Sequence, residues 1–169
     1  LYIAGGNQFY RIFIYLKSYP RLYNHTNTDG LLAIALTPSG KLWAGSYNGG
    51  FSVVDSLKTE ESPLRNLQFA NGALAIGEKV LFNTQQKGMY LFRSPTDYQK
   101  VTDTIVSTCN FLTSGRVLYT AVQGTGLAYK ALEHLEIHTP WRRVADKEGL
   151  ALDHCQGIAE DSQGNIWVI

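Results

Sequence analysis

The residues best suited to chemistry in this 169-residue chain lie in short polar stretches between apolar segments. Tyr47, Asn48, Gln86, Gln123 and His154 are the candidate ligand-binding residues. His25, Asn27, Asp29, Gln85, Asp153 and Gln156 lie in comparable stretches. An aromatic ring beside carboxamides suits a sugar, whose C–H face stacks on the ring while its hydroxyls exchange hydrogen bonds with Asn and Gln. Tyr47-Asn48 is the nearest approach to that pairing, and an oligosaccharide is the ligand class it suggests. Each residue also has a plainer role: Asn tolerates the left-handed backbone of a turn, and Tyr can cover a sheet edge.

Catalysis has thinner support. A glycoside hydrolase needs two carboxylates facing each other across about 5–9.5 Å. Asp29, Asp103 and Asp153 are the acids that precede comparable apolar segments, and turn capping accounts for them more simply. No catalytic residue is assigned. His134 and His138 fall in Glu133-His134-Leu135-Glu136-Ile137-His138, where the alternation suggests a strand, or an insertion, with both rings on one exposed face. Solvated surface explains them better than metal ligation. Cys109 and Cys155 lack any Cys-x-x-Cys spacing and are expected to be buried free thiols. No metal or cofactor is expected.

Bulk properties narrow the classes further. Fifteen basic residues against fourteen acidic ones leave a net charge of +1, and their scatter offers no stripe to track phosphates, so nucleic acid is disfavoured. With 44% hydrophobic and 17% charged residues the chain has the material for a packed domain. No apolar run approaches the ~18 residues that would cross a bilayer. The opening Leu1-Tyr2-Ile3-Ala4-Gly5-Gly6 has neither a basic leader nor an initiator Met, which suggests a piece of a longer protein, with any membrane attachment in other segments.

The elements that position these residues are set by an internal repeat. Leu32–Leu36 is a short apolar run, Thr37-Pro38-Ser39-Gly40 is turn chemistry, Lys41–Gly45 is a second strand, and Ser46-Tyr47-Asn48-Gly49-Gly50 leads into Phe51–Asp55 as a third. The same grammar recurs from Ser107 to Tyr129 and, more weakly, from Ala73 to Phe92. Gly50, Gly88 and Gly126 precede the third strands at intervals of 38 residues. Tyr2, Trp43, Leu81, Tyr119 and Trp167 occupy one repeat position. A fourth strand is expected at Arg21–Tyr23, Leu67–Phe69, Tyr98–Val101 and Trp141–Val144.

Four short antiparallel strands in about forty residues are the pattern of a β-propeller blade. The expected fold is all-β, with about four repeats in approximate units 1–29, 30–70, 71–103, 104–152 and a partial 153–169. Small residues at Ala35, Gly45 and Ala159 would let sheets approach closely, and Trp43, Tyr119 and Trp167 would fill the wedge between them. Because the two ends read as overlapping halves of one blade, the repeats would close alone, share a ring with a second copy through blade faces or edges, or belong to a longer array. In all three the loops entering the first strand and those joining second to third lie at one face, where the candidate residues collect.

The run Gly149-Leu150 through Asp161-Ser162-Gln163-Gly164-Asn165-Ile166-Trp167 resembles the two-component regulator propeller repeat, and Gly30-Leu31 through Thr37-Pro38-Ser39-Gly40-Lys41-Leu42-Trp43 matches it again. Leu81 and Tyr119 in place of Trp, and Glu78-Lys79 in place of the Ser-x-Gly turn, mark the degenerate copies. The resemblance implies the periplasmic sensor region of a hybrid histidine kinase that responds to carbohydrate. Kinase and receiver machinery would lie outside this chain, which is expected to bind rather than catalyse. A propeller glycoside hydrolase or lyase, or a protein-interaction scaffold, is the alternative.

Overall fold

The computed structural model describes residues 2–5, 8–11, 21–24, 31–46, 50–55, 58–64, 70–84, 87–102, 107–122, 126–137, 139–144 and 157–168. Among them are seventeen strands and one short 3-10 turn. The first sheet holds β1 (Tyr2–Gly5), β2 (Gln8–Arg11) and β3 (Arg21–Asn24). The second is β4 (Leu31–Leu36), β5 (Leu42–Ser46), β6 (Phe51–Asp55) and β7 (Lys58–Glu61). The third runs β8 (Ala70–Ile76), β9 (Lys79–Thr84), β10 (Gly88–Phe92) and β11 (Tyr98–Thr102). The fourth runs β12 (Ser107–Ser114), β13 (Val117–Val122), β14 (Gly126–Ala131) and β15 (Arg142–Arg143), and the last pairs β16 (Ile158–Glu160) with β17 (Ile166–Val168). Every pairing is antiparallel between sequence neighbours. β4 lies against β8, β8 against β12 and β12 against β16, so the first strands of successive sheets stand side by side, as around a propeller axis.

Glycine periodicity has a backbone cause. Gly50, Gly88 and Gly126 have φ of 127°, 82° and 83°, a region that side chains with a Cβ rarely enter, and each re-aims the chain into a third strand. A hydroxyl four residues earlier braces two of these turns: Ser46 Oγ donates to the Gly50 carbonyl at 3.4 Å and Thr84 Oγ1 to that of Gly88 at 2.8 Å.

Because strand side chains alternate between faces, each sheet packs differently on its two sides. Val80 and Phe82 of β9 join Trp43, Phe51, Tyr90 and Phe92 in an aromatic core between second and third sheets. Phe51 lies 4.7 Å from Phe82 and 4.8 Å from Phe92, centroid to centroid, and Trp43 lies 5.6 Å from Phe92. Leu81 of the same strand faces the other way, joining Met89, Leu91, Leu118, Val122, Ala128 and Leu135 in an aliphatic core. At Gly45 second and third sheets approach too closely for a side chain: a Cβ there would meet the Ala70 Cβ at 2.6 Å and Phe82 ring carbons at 3.1 and 3.2 Å.

Several expectations are amended. The fourth strand of the second sheet is Lys58–Glu61, while Leu67–Phe69 lie outside the described residues. That strand is charged because it is an outer edge, where Lys and Glu deter further pairing. Trp43 is 1% exposed and fills its wedge, but Trp167 is 62% exposed and Ala159 is exposed. Tyr119 is half-buried, its ring 6.0 Å from Tyr129. His134 ends a 3-10 turn, Leu132–His134, rather than sitting in a strand; His138 lies outside the described residues. β1 and β17, which share a repeat position, form separate sheets.

Candidate functional site

The expected ligand face is framed by strand ends. Leu31 pairs with Ser46, Ala70 with Thr84 and Ser107 with Val122, so the starts of the first strands and the ends of the second strands meet at one end of three successive sheets. The candidate residues Tyr47, Asn48, Gln86, Gln123 and His154 all lie outside the described residues, as do His25, Asn27, Asp29, Gln85, Asp103, Asp153, Gln156 and Cys155. Of Cys109 only its place in β12 is described.

One feature of this end escaped the sequence. The register of all three first strands shifts there, between Leu31 and Ala33, Ala70 and Gly72, and Ser107 and Phe111. Such bulges twist a strand and re-aim the chain beside it, and they concentrate next to binding sites. Period-two patterning does not announce them, because the one extra residue in the second and third sheets and the two in the fourth leave the composition of the strand unchanged.

At the opposite end the first hairpins take two forms. In the third and fourth sheets they are two-residue turns, Gly77-Glu78 and Gly115-Arg116, with glycine at φ of 58° and 55°. In the second and last they are longer and share a backbone pattern: Thr37 N–H donates to the Lys41 carbonyl and Gly40 N–H to that of Thr37, as Asp161 N–H does to Asn165 and Gly164 N–H to Asp161. The side chains at equivalent places differ. Asp161 accepts from the N–H groups of Gln163 and Asn165, from Asn165 Nδ2 and, at 2.8 Å, from the Trp167 indole Nε1–H. Those donors, Asn165 first and then Trp167, hold its carboxyl well below the usual range. Thr37 stands six residues before Trp43 as Asp161 does before Trp167. Its hydroxyl serves Ser39 and the Lys41 N–H, and the buried Trp43 Nε1–H finds no acceptor among the described residues.

Contacts between sheets cluster at this same end. Ser39 donates its N–H (3.0 Å) and hydroxyl to Glu78 of the next sheet, and Ser114 donates its hydroxyl to Glu160 at 2.7 Å. Beside the first lies a cleft of about 280 Å³ walled by Lys41, Trp43, Val53 and Glu60 of the second sheet and Glu78, Arg93, Ser94 and Pro95 of the third. A wider groove of about 520 Å³ occupies the equivalent place beyond the fourth sheet, over Val117, Tyr129 and Pro140.

The segment after β14 crosses to the third sheet. Glu136 pairs with both Lys79 and Arg93, and its carbonyl accepts from Gln99 Nε2 at 2.8 Å. Lys79 first and Arg93 second lower its pKa. Lys130, 5% exposed, donates to the Ile137 carbonyl at 3.0 Å and lies 5.8 Å from the Trp141 ring centre; burial lowers its pKa. Among the described residues no group of His, Cys, Asp and Glu is arranged to hold a metal, and no helix is long and apolar enough to cross a membrane.

No family profile and no curated protein matches the sequence. Solved structures do. The extracellular domain of BT4673 from B. thetaiotaomicron, whose description assigns it to a hybrid two-component system, superposes at TM-score 0.73 with 16% identity over 99% of this chain and 24% of its own. That of BT3049, described in the same terms, does so at 0.60 with 18% identity over 82% of this chain and 19% of its own. Virginiamycin B lyase from Staphylococcus aureus superposes at 0.75 with 10% identity, over 97% of this chain and 56% of the lyase. The chain thus spans about a quarter of the BT4673 domain. What these similarities establish is the fold: the chain is a run of four-stranded β-propeller blades, similar in structure to the extracellular domains of hybrid two-component systems.

Proposed function

We propose that this chain is a ligand-sensing, extracytoplasmic β-propeller segment of a two-component sensor in the periplasm, and that its ligand is a carbohydrate. The carrying observation is the likeness to the BT4673 extracellular domain over 99% of the chain. The repeat motifs at Trp43 and Trp167 lead independently to the same class. In this reading the segment binds and does not catalyse; a ligand at the bulged end biases the arrangement of rigid sheets, and that bias passes to a kinase in other segments.

The test is a glycan array followed by calorimetry on the binding glycans, with Tyr47→Ala and Gln86→Ala as variants. Saturable binding, weakened about tenfold or more by Tyr47→Ala, supports the reading. Absence of binding by any glycan removes the carbohydrate claim. The likeness to virginiamycin B lyase favours a second reading, an enzyme using Asp29, Asp103 or Asp153. Turnover of a substrate panel, abolished by substituting one of those acids, would establish it.

A further inference from the structure

The fourth sheet carries a face whose chemistry the proposed sensing role does not use. Residues directly opposite each other in an antiparallel ladder share a face. Leu112 stands opposite Tyr119, Tyr119 opposite Tyr129, and Tyr129 opposite Arg142, so these four side chains form one row across β12 to β15. Val117 and Ala131, opposite each other and two residues along their strands, extend the same face. The groove of about 520 Å³ lies over it, lined by Val117, Tyr129, Ala131 and Arg142 and bordered by His134, Thr139 and Pro140 of the segment after β14. We propose that this groove is a binding site for a small aromatic carboxylate.

Charge and hydrogen-bonding capacity select that class. The basic side chains on the groove are Lys130, His134 and Arg142, and no Asp or Glu lines it. Lys130 is buried and committed to the Ile137 carbonyl at 3.0 Å, so it contributes charge rather than a contact. Glu133, 3.9 Å from the His134 ring, is held by Arg116 at 2.8 Å, and Glu160 takes the Ser114 hydroxyl at 2.7 Å. Arg142 is different: its guanidinium is exposed and has no partner among the described residues. That planar fork of N–H donors matches a carboxylate. A cationic ligand would meet like charge and no acid. A neutral polyol brings several O–H donors, and the wall answers them with little besides the Tyr129 and Thr139 hydroxyls and the His134 ring. A carboxylate only accepts. The ligand's body is set by Tyr129, half-buried, with the Tyr119 ring 6.0 Å away and tilted by 32°. Together with Val117 and Pro140 it makes an apolar floor on which an aromatic ring stacks offset. Cross-strand partners have Cβ atoms about 4.5–5.5 Å apart, so one small ligand reaches both the Tyr129 ring and Arg142.

The test titrates the chain with cinnamate, its neutral isostere cinnamamide, and D-glucuronate, a carboxylate without an aromatic ring. The readout is the Tyr129 ring resonance by two-dimensional NMR, assigned through Tyr129→Phe. The expected result is a saturable shift with cinnamate, which binds about tenfold or more tightly than cinnamamide. Arg142→Gln, at an exposed position, erases that preference by weakening cinnamate about tenfold and leaving cinnamamide unchanged. Tyr129→Leu weakens both, while Tyr129→Phe keeps the ring and the affinity. Equal binding of cinnamate and cinnamamide overturns the proposal, as does cinnamate affinity that survives Arg142→Gln. D-Glucuronate binding as tightly as cinnamate overturns it too, as does a linear drift shared by all the tyrosine rings. Tyr47→Ala leaves the cinnamate response unchanged, and a glycan array without a single hit leaves this site standing, which separates its failure from that of the carbohydrate reading.

Discussion

Gly45→Ala tests the blade packing most directly. Gly45 has no left-handed backbone requirement, so alanine is conformationally allowed, and its smaller unfolded-state entropy alone would stabilise the chain by about 0.4–1 kcal/mol. Space reverses the sign. The new methyl would sit 2.6 Å from the Ala70 Cβ, roughly 1 Å inside the optimal carbon–carbon separation, with Phe82 ring carbons at 3.1 and 3.2 Å and both neighbours fully buried. Relief requires second and third sheets to part along the whole aromatic core, and overpacking of this kind costs about 1–3 kcal/mol. The net expectation is a loss of about 1–2 kcal/mol, read as a fall in the urea midpoint with unchanged slope, or as about 2–4 °C of Tm per kcal/mol. Ala70→Gly removes the opposing methyl, so the double variant should recover more than 1 kcal/mol relative to the sum of the singles. A neutral or stabilised Gly45→Ala, or strict additivity in the cycle, would refute the close approach.

Three further outcomes follow from the polar contacts. Asp161→Ala should speed amide exchange at Gln163 and Asn165, both of which donate to that carboxylate, while leaving Gly40 in the equivalent turn unaffected. Glu136 has a folded pKa below its unfolded value, so its contribution is complete above about pH 4.5 and is lost as pH falls through the folded value; Glu136→Gln should flatten the acid limb of a stability-versus-pH curve. Lys130 is the reverse case of a depressed cation: the unfolded chain binds its proton more tightly, so stability rises with pH on the alkaline side, and Lys130→Met should remove that rise and be neutral or stabilising at pH 7, measured by denaturation at pH 7 and 9.5.

Which elements the sequence disclosed has a physical explanation. Strands buried on both faces are apolar, and turns that need a positive φ demand glycine, so β5, β9, β10, β13 and β14 and the 38-residue glycine interval were legible. Trp43 and Gly45 were read correctly as wedge and close approach because their sizes are extreme. Lys58–Glu61 was not, since a charged outer strand has the composition of a loop. Nor was the Leu132–His134 turn: the alternation around it matched a strand, but Leu135 turns into the aliphatic core while Glu136 reaches back to Lys79. The candidate binding residues rest on residue type, which says what a side chain can do but not where a loop carries it. The unpaired indole of Trp43 was not legible because its signal is a substitution, Thr37 for the Asp of its counterpart, that acquires meaning only once both turns are seen to share one backbone.

The fit of Gly45 against Ala70 also bears on how such arrays are assembled. In the neighbouring first strands the places paired like Ala70 are taken by Leu31 and Ser107. A face carrying Gly45 therefore discriminates among its possible neighbours: it accepts a methyl and would collide with an isobutyl group. Although the blades descend from one pattern, they behave as keyed parts with a fixed order, and shuffling or duplicating them would require each new junction to be recut.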